Sequence, residues 1–130
     1  MDWNYIAGYF DGEGNLHVTK VRGKGAYHLQ IRIYSSDDKS LNAIQKYLNY
    51  GKIYLRKKTG VGELIIHKKE DCFNFLKNVK DLVILKQEQV QFLLEHYSFE
   101  RVNNLDFDLD KFRSFIKRKN VVRTYHTIET

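Results

Sequence analysis

Four segments of the chain alternate polar and apolar residues with the period of a β-strand, and they come in two pairs. Residues 15–20 and 27–34 form the first pair, and residues 52–56 and 63–67 form the second. Each pair is joined by a short glycine-containing segment, which is typical of a β-hairpin. Helical periodicity is found before, between and after the hairpins, over residues 3–11, 37–49, 70–79, 86–97 and 109–119. The pattern predicts an α+β domain in the order αββαββααα, with helices packed on one face of a mixed or antiparallel sheet.

The length and composition fit one globular domain. The chain has 130 residues, of which 42% are hydrophobic and 29% charged. We predict a domain over residues 1–119 and a loosely ordered tail over residues 120–130. An apolar run long enough to span a membrane is absent, and the N-terminus lacks the basic start of a signal peptide. A single cysteine, Cys72, excludes an internal disulfide. We therefore expect a protein of the cytoplasm or an organelle, neither secreted nor membrane-bound.

The charge of the chain points to a polyanionic partner. The formal net charge is +6, which favours nucleic acid. Strand alternation puts donors and acceptors on the sheet face away from the helices, and a β-ribbon carrying such groups fits the major groove of DNA. Alternatively, this is an ordinary polar sheet face that contacts only water. The predicted nucleic-acid contacts on this face and its turns are Asn15, His17, Thr19, Lys20, Arg22, Lys24, His28, Gln30, Arg32, Tyr34, Lys52, Tyr54, Arg56, Lys58, Glu63 and His67.

The first helical segment contains two glycines in an otherwise apolar run, IAGYFDGEG, at residues 6–14. A glycine inside a helix costs about 1 kcal/mol relative to alanine, so a compensating contact is expected. Gly8 and Gly12 are one turn apart and would form a flat surface on which a second backbone can pack closely. A helix that is apolar nearly all round is buried on both sides. We therefore predict that it pairs with a second copy of itself through Tyr5, Ala7, Gly8, Tyr9 and Gly12.

The acids that end this run suggest a metal site. We expect the helix to stop at Gly12, with Glu13 just beyond its negative end. A carboxylate beside the Gly12 carbonyl is a suitable donor set for a hard divalent cation. For Asp11 we expect a structural hydrogen bond at the helix end and no role as a ligand.

The same nonamer resembles the signature of the LAGLIDADG homing endonucleases. Glu13 stands at the final acid of that signature, and its other constrained positions are matched by Ala7, Gly8, Asp11, Gly12 and Gly14. The segment LKQEQ at residues 85–89 resembles the part of the family that carries an active-site lysine, which would be Lys86. The resemblance covers roughly residues 3–100.

This resemblance implies a saddle-shaped αββαββα fold whose sheet lies in the DNA major groove. Because the chain has one signature, it implies a homodimer that hydrolyses both strands of a long, nearly palindromic duplex, as in intron or intein homing. Glu13 and the Gly12 carbonyl would hold Mg²⁺, or another divalent ion such as Mn²⁺, and no small-molecule cofactor is implied. Lys86 would offset charge on the phosphate or organise the attacking water. Ser35 and Lys39 are the nearest candidates for the polar or basic residue that the family carries around the start of the second helix.

Less specific readings remain open at this point. The alternative for Lys86 is a solvated lysine at a helix start. The second candidate function is that of a non-catalytic nucleic-acid-binding module or an RNA maturase of the same fold. RNA is then a possible partner. A third is a basic ribosome-associated protein in which the acids only cap a helix. Metal-dependent cutting of duplex DNA separates the first function from the other two.

Overall fold

The computed structural model describes residues 1–21, 26–100, 104 and 106–117. Within these residues the chain forms five helices and four strands in the predicted order. They are α1 (Trp3–Glu13), β1 (Gly14–Val21), β2 (Ala26–Ser35), α2 (Asp38–Leu48), β3 (Lys52–Leu55), β4 (Gly62–Ile66), α3 (Lys69–Val79), α4 (Gln87–His96) and α5 (Leu109–Lys117). The predicted α+β fold class is confirmed. The tail over residues 120–130 and the turn residues Arg22 and Lys24 lie outside the described residues.

The strands form one sheet in the order β1-β2-β4-β3. All pairings among the described strands are antiparallel. Each hairpin pairs its own two strands, and the hairpins meet where β2 lies beside β4. This order places β2 and β4 in the centre and leaves β1 and β3 as the described edges.

One face of the sheet and the helices enclose the core. The inward residues of β1 and β2 alternate as predicted, and Leu16, Ile31 and Ile33 are all at most 1% exposed. Phe10 of α1 packs edge-on against Phe75 of α3, with ring centroids 5.1 Å apart. Alternation from Ile53 would predict that Leu55 points into the core, but 66% of this residue is exposed at the end of the short edge strand β3.

The helix ends follow from their capping residues. Asp2 accepts the N–H of Tyr5 and Asp37 accepts that of Lys39, which starts α1 and α2. The expectation that α1 stops at Gly12 is wrong, because the helix continues to Glu13 and the N–H of Gly14 still bonds to the carbonyl of Phe10. Glu13 is therefore the last residue of the helix and not a residue beyond it. None of the described helices is long and apolar enough to cross a bilayer.

Candidate active site and nucleic-acid face

The junction of α1 and β1 brings the predicted metal ligand to the edge of the predicted nucleic-acid face. Glu13 is exposed at the last position of α1, and β1 begins at the next residue. The last turn of a helix leaves carbonyls without intrahelical partners and carries partial negative charge. Here the Phe10 carbonyl accepts from Gly14 and the Asp11 carbonyl accepts from the Lys86 amine. The end of α1 thus carries the exposed Glu13 carboxylate, while two carbonyls of its last turn are already used as acceptors.

Asp11 fixes a distant loop against this helix end. Its Oδ2 accepts the N–H groups of Ile84 and Leu85 at 2.8 and 2.9 Å, and its Oδ1 accepts that of Lys86 at 2.9 Å. The predicted structural role is confirmed, and the structure adds its partners, since the bonds reach across the fold to the segment that starts α4. A carboxylate that accepts several backbone N–H groups makes strong, charge-assisted bonds. Asp11 therefore sets the position of the segment that ends in Lys86.

Lys86 is a buried lysine beside the metal-ligand candidate. The residue is 3% exposed, so the reading as a solvated lysine at a helix start is wrong. Its Nζ donates to the Asp11 carbonyl at 2.6 Å and lies 5.5 Å from the centre of the Phe10 ring. Lysine at the start of α4 would oppose the dipole of that helix, but its amine reaches the negative end of α1 instead. The Lys86 amine thus contacts the carbonyl of Asp11, which lies two residues before Glu13 on α1.

The start of α2 is held against the same side of α1. The Tyr9 hydroxyl donates to the hydroxyl of Ser35, which also accepts the N–H of Asp37 at 2.9 Å. Tyr9 lies one turn before Glu13 on α1. Ser35 is 8% exposed and used in these bonds, whereas Lys39 is exposed in the first turn of α2. Of the two candidates, Lys39 is therefore the one whose side chain is available to a ligand.

The donor set of one chain fits a divalent ion only in part. Among the described residues, no cluster of three or more histidine, cysteine, aspartate or glutamate side chains could hold a metal ion. One exposed carboxylate with a backbone carbonyl is nevertheless the kind of hard oxygen donor that Mg²⁺ takes, because Mg²⁺ retains waters and completes its shell with substrate phosphates. The residues present therefore fit an ion that is bound together with a phosphate substrate.

The strand register gathers most of the predicted nucleic-acid contacts on one face. Asn15 pairs with Arg32, His17 with Gln30, and Thr19 with His28, so these residues point to the same side. The same face continues through Tyr34, Glu63 and Tyr54 and through Lys52. Arg56, Lys58 and His67 are exposed in the segments that follow β3 and β4.

Lys20 lies on the other side of the sheet. It has the same strand parity as Leu16 and Val18, which are buried against the helices. Its register partner Tyr27 packs against Phe107, with ring centroids 5.6 Å apart. Strand alternation thus carries the side chain of Lys20 to the helix side, where it is exposed next to the end of β1, and its contact with nucleic acid stays a prediction.

Four residues of this face form one polar network. The Arg32 guanidinium donates to the Gln30 amide oxygen from both Nε and Nη2, at 3.0 and 2.6 Å. Glu63 lies 3.7 Å from Arg32 and 3.4 Å from Arg56. Glu63 was expected to face a ligand, but it is only 5% exposed and is covered by its neighbours. Glu63 is thus the buried member of the network, whereas the two arginines and Gln30 reach the surface.

His17 lies near positive charge on the sheet face and on α5, which affects the pKa of its imidazole. Burial, then Arg32 and then Arg113 on α5 lower the pKa of its imidazole below the ordinary value of 6.5. The neutral form is therefore favoured at pH 7, so His17 offers one hydrogen-bond donor and one acceptor and adds no charge.

The predicted dimer surface is open on α1. A Cβ built at Gly8 or at Gly12 has no atom within 4 Å, and Tyr5 is 46% exposed. Tyr9 is half-buried with its hydroxyl bonded to Ser35. Ala7 was predicted to lie on this surface, but it is fully buried in the core of its own chain, because it falls on the opposite side of the helix.

The apolar loop before α4 has two exposed residues that the sequence pattern did not predict. Ile84 is 82% exposed and Leu85 is 76% exposed, yet Asp11 holds both of their backbones against the end of α1. Together with Tyr5, Gly8 and Gly12 they form what we call the α1 surface, an exposed apolar area on the described chain. The apolar run 82–85 was visible in the sequence, but nothing in it showed that two of its residues face outward.

Comparison with known proteins gives a consistent result. A family model described as LAGLIDADG endonuclease matches residues 6–97. A search of the curated proteins found no match. The solved structures with a similar fold include the homing endonuclease I-CvuI in complex with a DNA target, at 18% identity and a TM-score of 0.64, covering 98% of this chain and 85% of that one.

Two further solved structures differ in the share of their length that this chain matches. The archaeal intron-encoded homing endonuclease I-Vdi141I, complexed with DNA, has 18% identity and a TM-score of 0.61, and 92% of this chain matches 96% of that one. The LAGLIDADG meganuclease I-AabMI, bound to uncleaved DNA, has 21% identity and a TM-score of 0.63, and this whole chain matches 53% of it. At these identities the similarity is evidence of a shared fold.

Proposed function

The chain belongs to the LAGLIDADG endonuclease family, and from this premise we propose that it is a site-specific, metal-dependent endonuclease of double-stranded DNA that acts as a homodimer. The observation that carries the proposal is the junction of α1 and β1. There the exposed Glu13, the Asp11 carbonyl and the buried Lys86 amine meet at the end of a sheet face rich in base-reading side chains. A phosphate held at this junction would belong to a duplex lying along that face.

A divalent ion, with Mg²⁺ as the first candidate, would be held by Glu13 and the Gly12 carbonyl together with the scissile phosphate. When bound, such an ion activates water and stabilises the leaving oxygen. The structures of I-CvuI with DNA were determined in the presence of Mg in one case and Ca in another, which supports the choice of ion. The chain's own contribution is to place one exposed carboxylate at a helix end that is already negative.

Lys86 would act as a fixed positive charge beside the reacting phosphate. Its amine is held by the Asp11 carbonyl and by the face of the Phe10 ring, so little reorganisation is needed when charge develops. Because the residue is buried, its charge is screened little by water. Lys39, exposed in the first turn of α2, would contact the DNA backbone next to this site or orient a water.

The α1 surface would be the interface between two copies. Gly8 and Gly12 allow two helices to approach closely, and Tyr5, Ile84 and Leu85 would be covered on assembly. The chain matches nearly the whole of I-Vdi141I but about half of I-AabMI, which supports a unit that is doubled when active. A two-fold axis in the protein would be matched by a nearly palindromic target.

The decisive experiment incubates the protein with a randomised duplex library in Mg²⁺, in Ca²⁺ or in EDTA, and sequences the ends that are produced. We expect discrete ends at one nearly palindromic site that require Mg²⁺ and are lost in Glu13→Gln. Glu70→Gln, which neutralises an exposed acid in the first turn of α3, is the matched control and should cut like the wild type.

Two other outcomes would contradict the proposed endonuclease activity. Enrichment of bound duplex without cuts would leave a DNA-binding module. Neither binding nor cutting of duplex DNA would point to RNA as the partner.

A further inference from the structure

Glu63 is a buried carboxylate on the outward face of the sheet. The residue is 5% exposed, and in the register it lies between Tyr34 of β2 and Tyr54 of β3. Its Oε1 is buried without a hydrogen-bond partner among the described residues. Withdrawing a carboxylate from water is costly unless opposite charge compensates it, so a role for this acid is expected.

Two arginines supply the compensating charge. The Nε of Arg32 lies 3.7 Å from Oε1 of Glu63, and Nη2 of Arg56 lies 3.4 Å from Oε2. The side chain of Arg32 is 24% exposed and that of Arg56 is 59% exposed. Glu63 thus lies beneath two cations that reach the surface, and it reduces the repulsion between them.

The orientation of Arg32 is set by a second partner. Its Nε and Nη2 donate to the same Gln30 oxygen, which occupies one edge of the planar guanidinium. A guanidinium has five N–H groups in a rigid fork, and of the three outside this contact two point off the far end of the fork, one from each Nη. A fork held by its near edge can offer its far end to two acceptors at once.

We propose that Glu63 is a positioning residue which, together with Gln30, holds Arg32 so that its far end reads a guanine in the major groove. The inference rests on the proposed function, because it names the base contact that the sheet face would make with duplex DNA. Bidentate donation from arginine to O6 and N7 of guanine is the commonest specific base contact. Arg32 pairs with Asn15 next to the junction of α1 and β1, so its guanine belongs to the interior of each half-site, near the proposed cleavage site, and not to its margin.

The proposal predicts opposite effects of Glu63 substitution on the preference for guanine and on the affinity for non-specific duplex DNA. Glu63→Gln keeps the size of the side chain but removes the one negative charge in this network. Arg32 and Arg56 would then be free to move to phosphates, which attract cations irrespective of sequence. The variant should therefore bind non-specific duplex more tightly and with a steeper salt dependence, while it loses preference for guanine. A role in folding alone would weaken both kinds of binding.

The test selects bound duplexes from the randomised library in EDTA, where only binding is measured. For the wild type we expect a guanine at one interior position of each half-site. Glu63→Gln and Arg32→Ala should each reduce that preference about tenfold, and the double variant should lose little more than either single one. Glu70→Gln, which removes the same charge outside the network, should leave the preference unchanged. If Glu63→Gln is poorly folded by circular dichroism, Gln30→Ala carries the test and should relax the same position.

The outcomes distinguish this proposal from the endonuclease itself. An unchanged preference in Glu63→Gln, or a preference for guanine that survives Arg32→Ala, overturns the positioning role. A wild type that selects guanine as described but cuts no DNA leaves the role standing and overturns only the cleavage. A wild type that selects no duplex sequence overturns both.

Discussion

At the scale of single residues, the sequence predicted the roles of side chains better than their partners. Glu13 and Lys86 were marked by a short pattern, but the bonds that join their surroundings link residues 73 to 75 positions apart. Asp11 could be identified as structural because its carboxylate lies at a helix end, and its partners could not, because only the folded chain brings the loop before α4 to α1. Glu63 likewise looked like one more outward polar residue until its burial was known.

The lowered pKa of His17 leads to a prediction at this scale. Because the folded protein binds this proton more weakly than the unfolded chain, the stability that His17 contributes is fully present above pH 6.5 and is lost as the pH falls from 6.5 through the lowered pKa. Arg32→Ala removes the second cause of the shift and should raise the pKa of His17 towards its ordinary value. NMR titration of the imidazole measures this directly. Arg56→Ala, which is not among the causes, is the control, and a pKa that responds equally to both substitutions would contradict the assignment.

At the scale of elements, the hydrophobic period of the sequence and its capping residues were sufficient to predict the order and approximate bounds of the helices and strands. Two hairpins and their outward residues followed from alternation alone, since the side-chain period of a strand fixes both faces at once. The order β1-β2-β4-β3 was not predictable, because it depends on which hairpin edges meet. The end of α1 was misplaced by one residue for a physical reason, since Gly12 is tolerated inside the helix while Gly14 is required after it.

Gly14 provides the prediction for this scale. A Cβ at this position would collide with the ring of Phe10 and lie 2.5 Å from its carbonyl oxygen, and Phe10 is fully buried and cannot move freely. We expect Gly14→Ala to lower the free energy of unfolding by about 1–3 kcal/mol. Gly12→Ala meets open space and gains helix propensity, so it should be neutral or stabilising by about 1 kcal/mol.

Denaturant unfolding checks both glycine variants, at a protein concentration low enough to keep the chains separate. The order of the two variants is the informative result. If Gly12→Ala were the more damaging substitution under these conditions, the packing of Phe10 against the turn at Gly14 could not be what ends α1.

At the scale of the whole molecule, the described residues of one chain form two exposed surfaces that their own packing does not use. The first is the polar sheet face, which composition and alternation predicted. The second is the α1 surface, of which the sequence predicted the glycines but not Ile84 and Leu85. Exposed aliphatic side chains and two uncrowded glycines are unfavourable in water, which supports the proposed association of two copies. The junction of α1 and β1 lies where these two surfaces meet, so the catalytic proposal and the dimer proposal depend on the same helix.

The assembly itself carries the last prediction. Gly8→Leu places a bulky side chain on the α1 surface without touching the core of its own chain, because no atom lies within 4 Å of the new Cβ. We expect the variant to keep its circular dichroism spectrum but to sediment as a monomer at micromolar concentration, where the wild type sediments as a dimer. Asn42→Leu, which adds the same side chain at an exposed position of α2, should remain dimeric. A monomeric wild type would contradict the homodimer, whereas a dimeric Gly8→Leu would place the interface elsewhere and leave the exposure of Ile84 and Leu85 without an explanation.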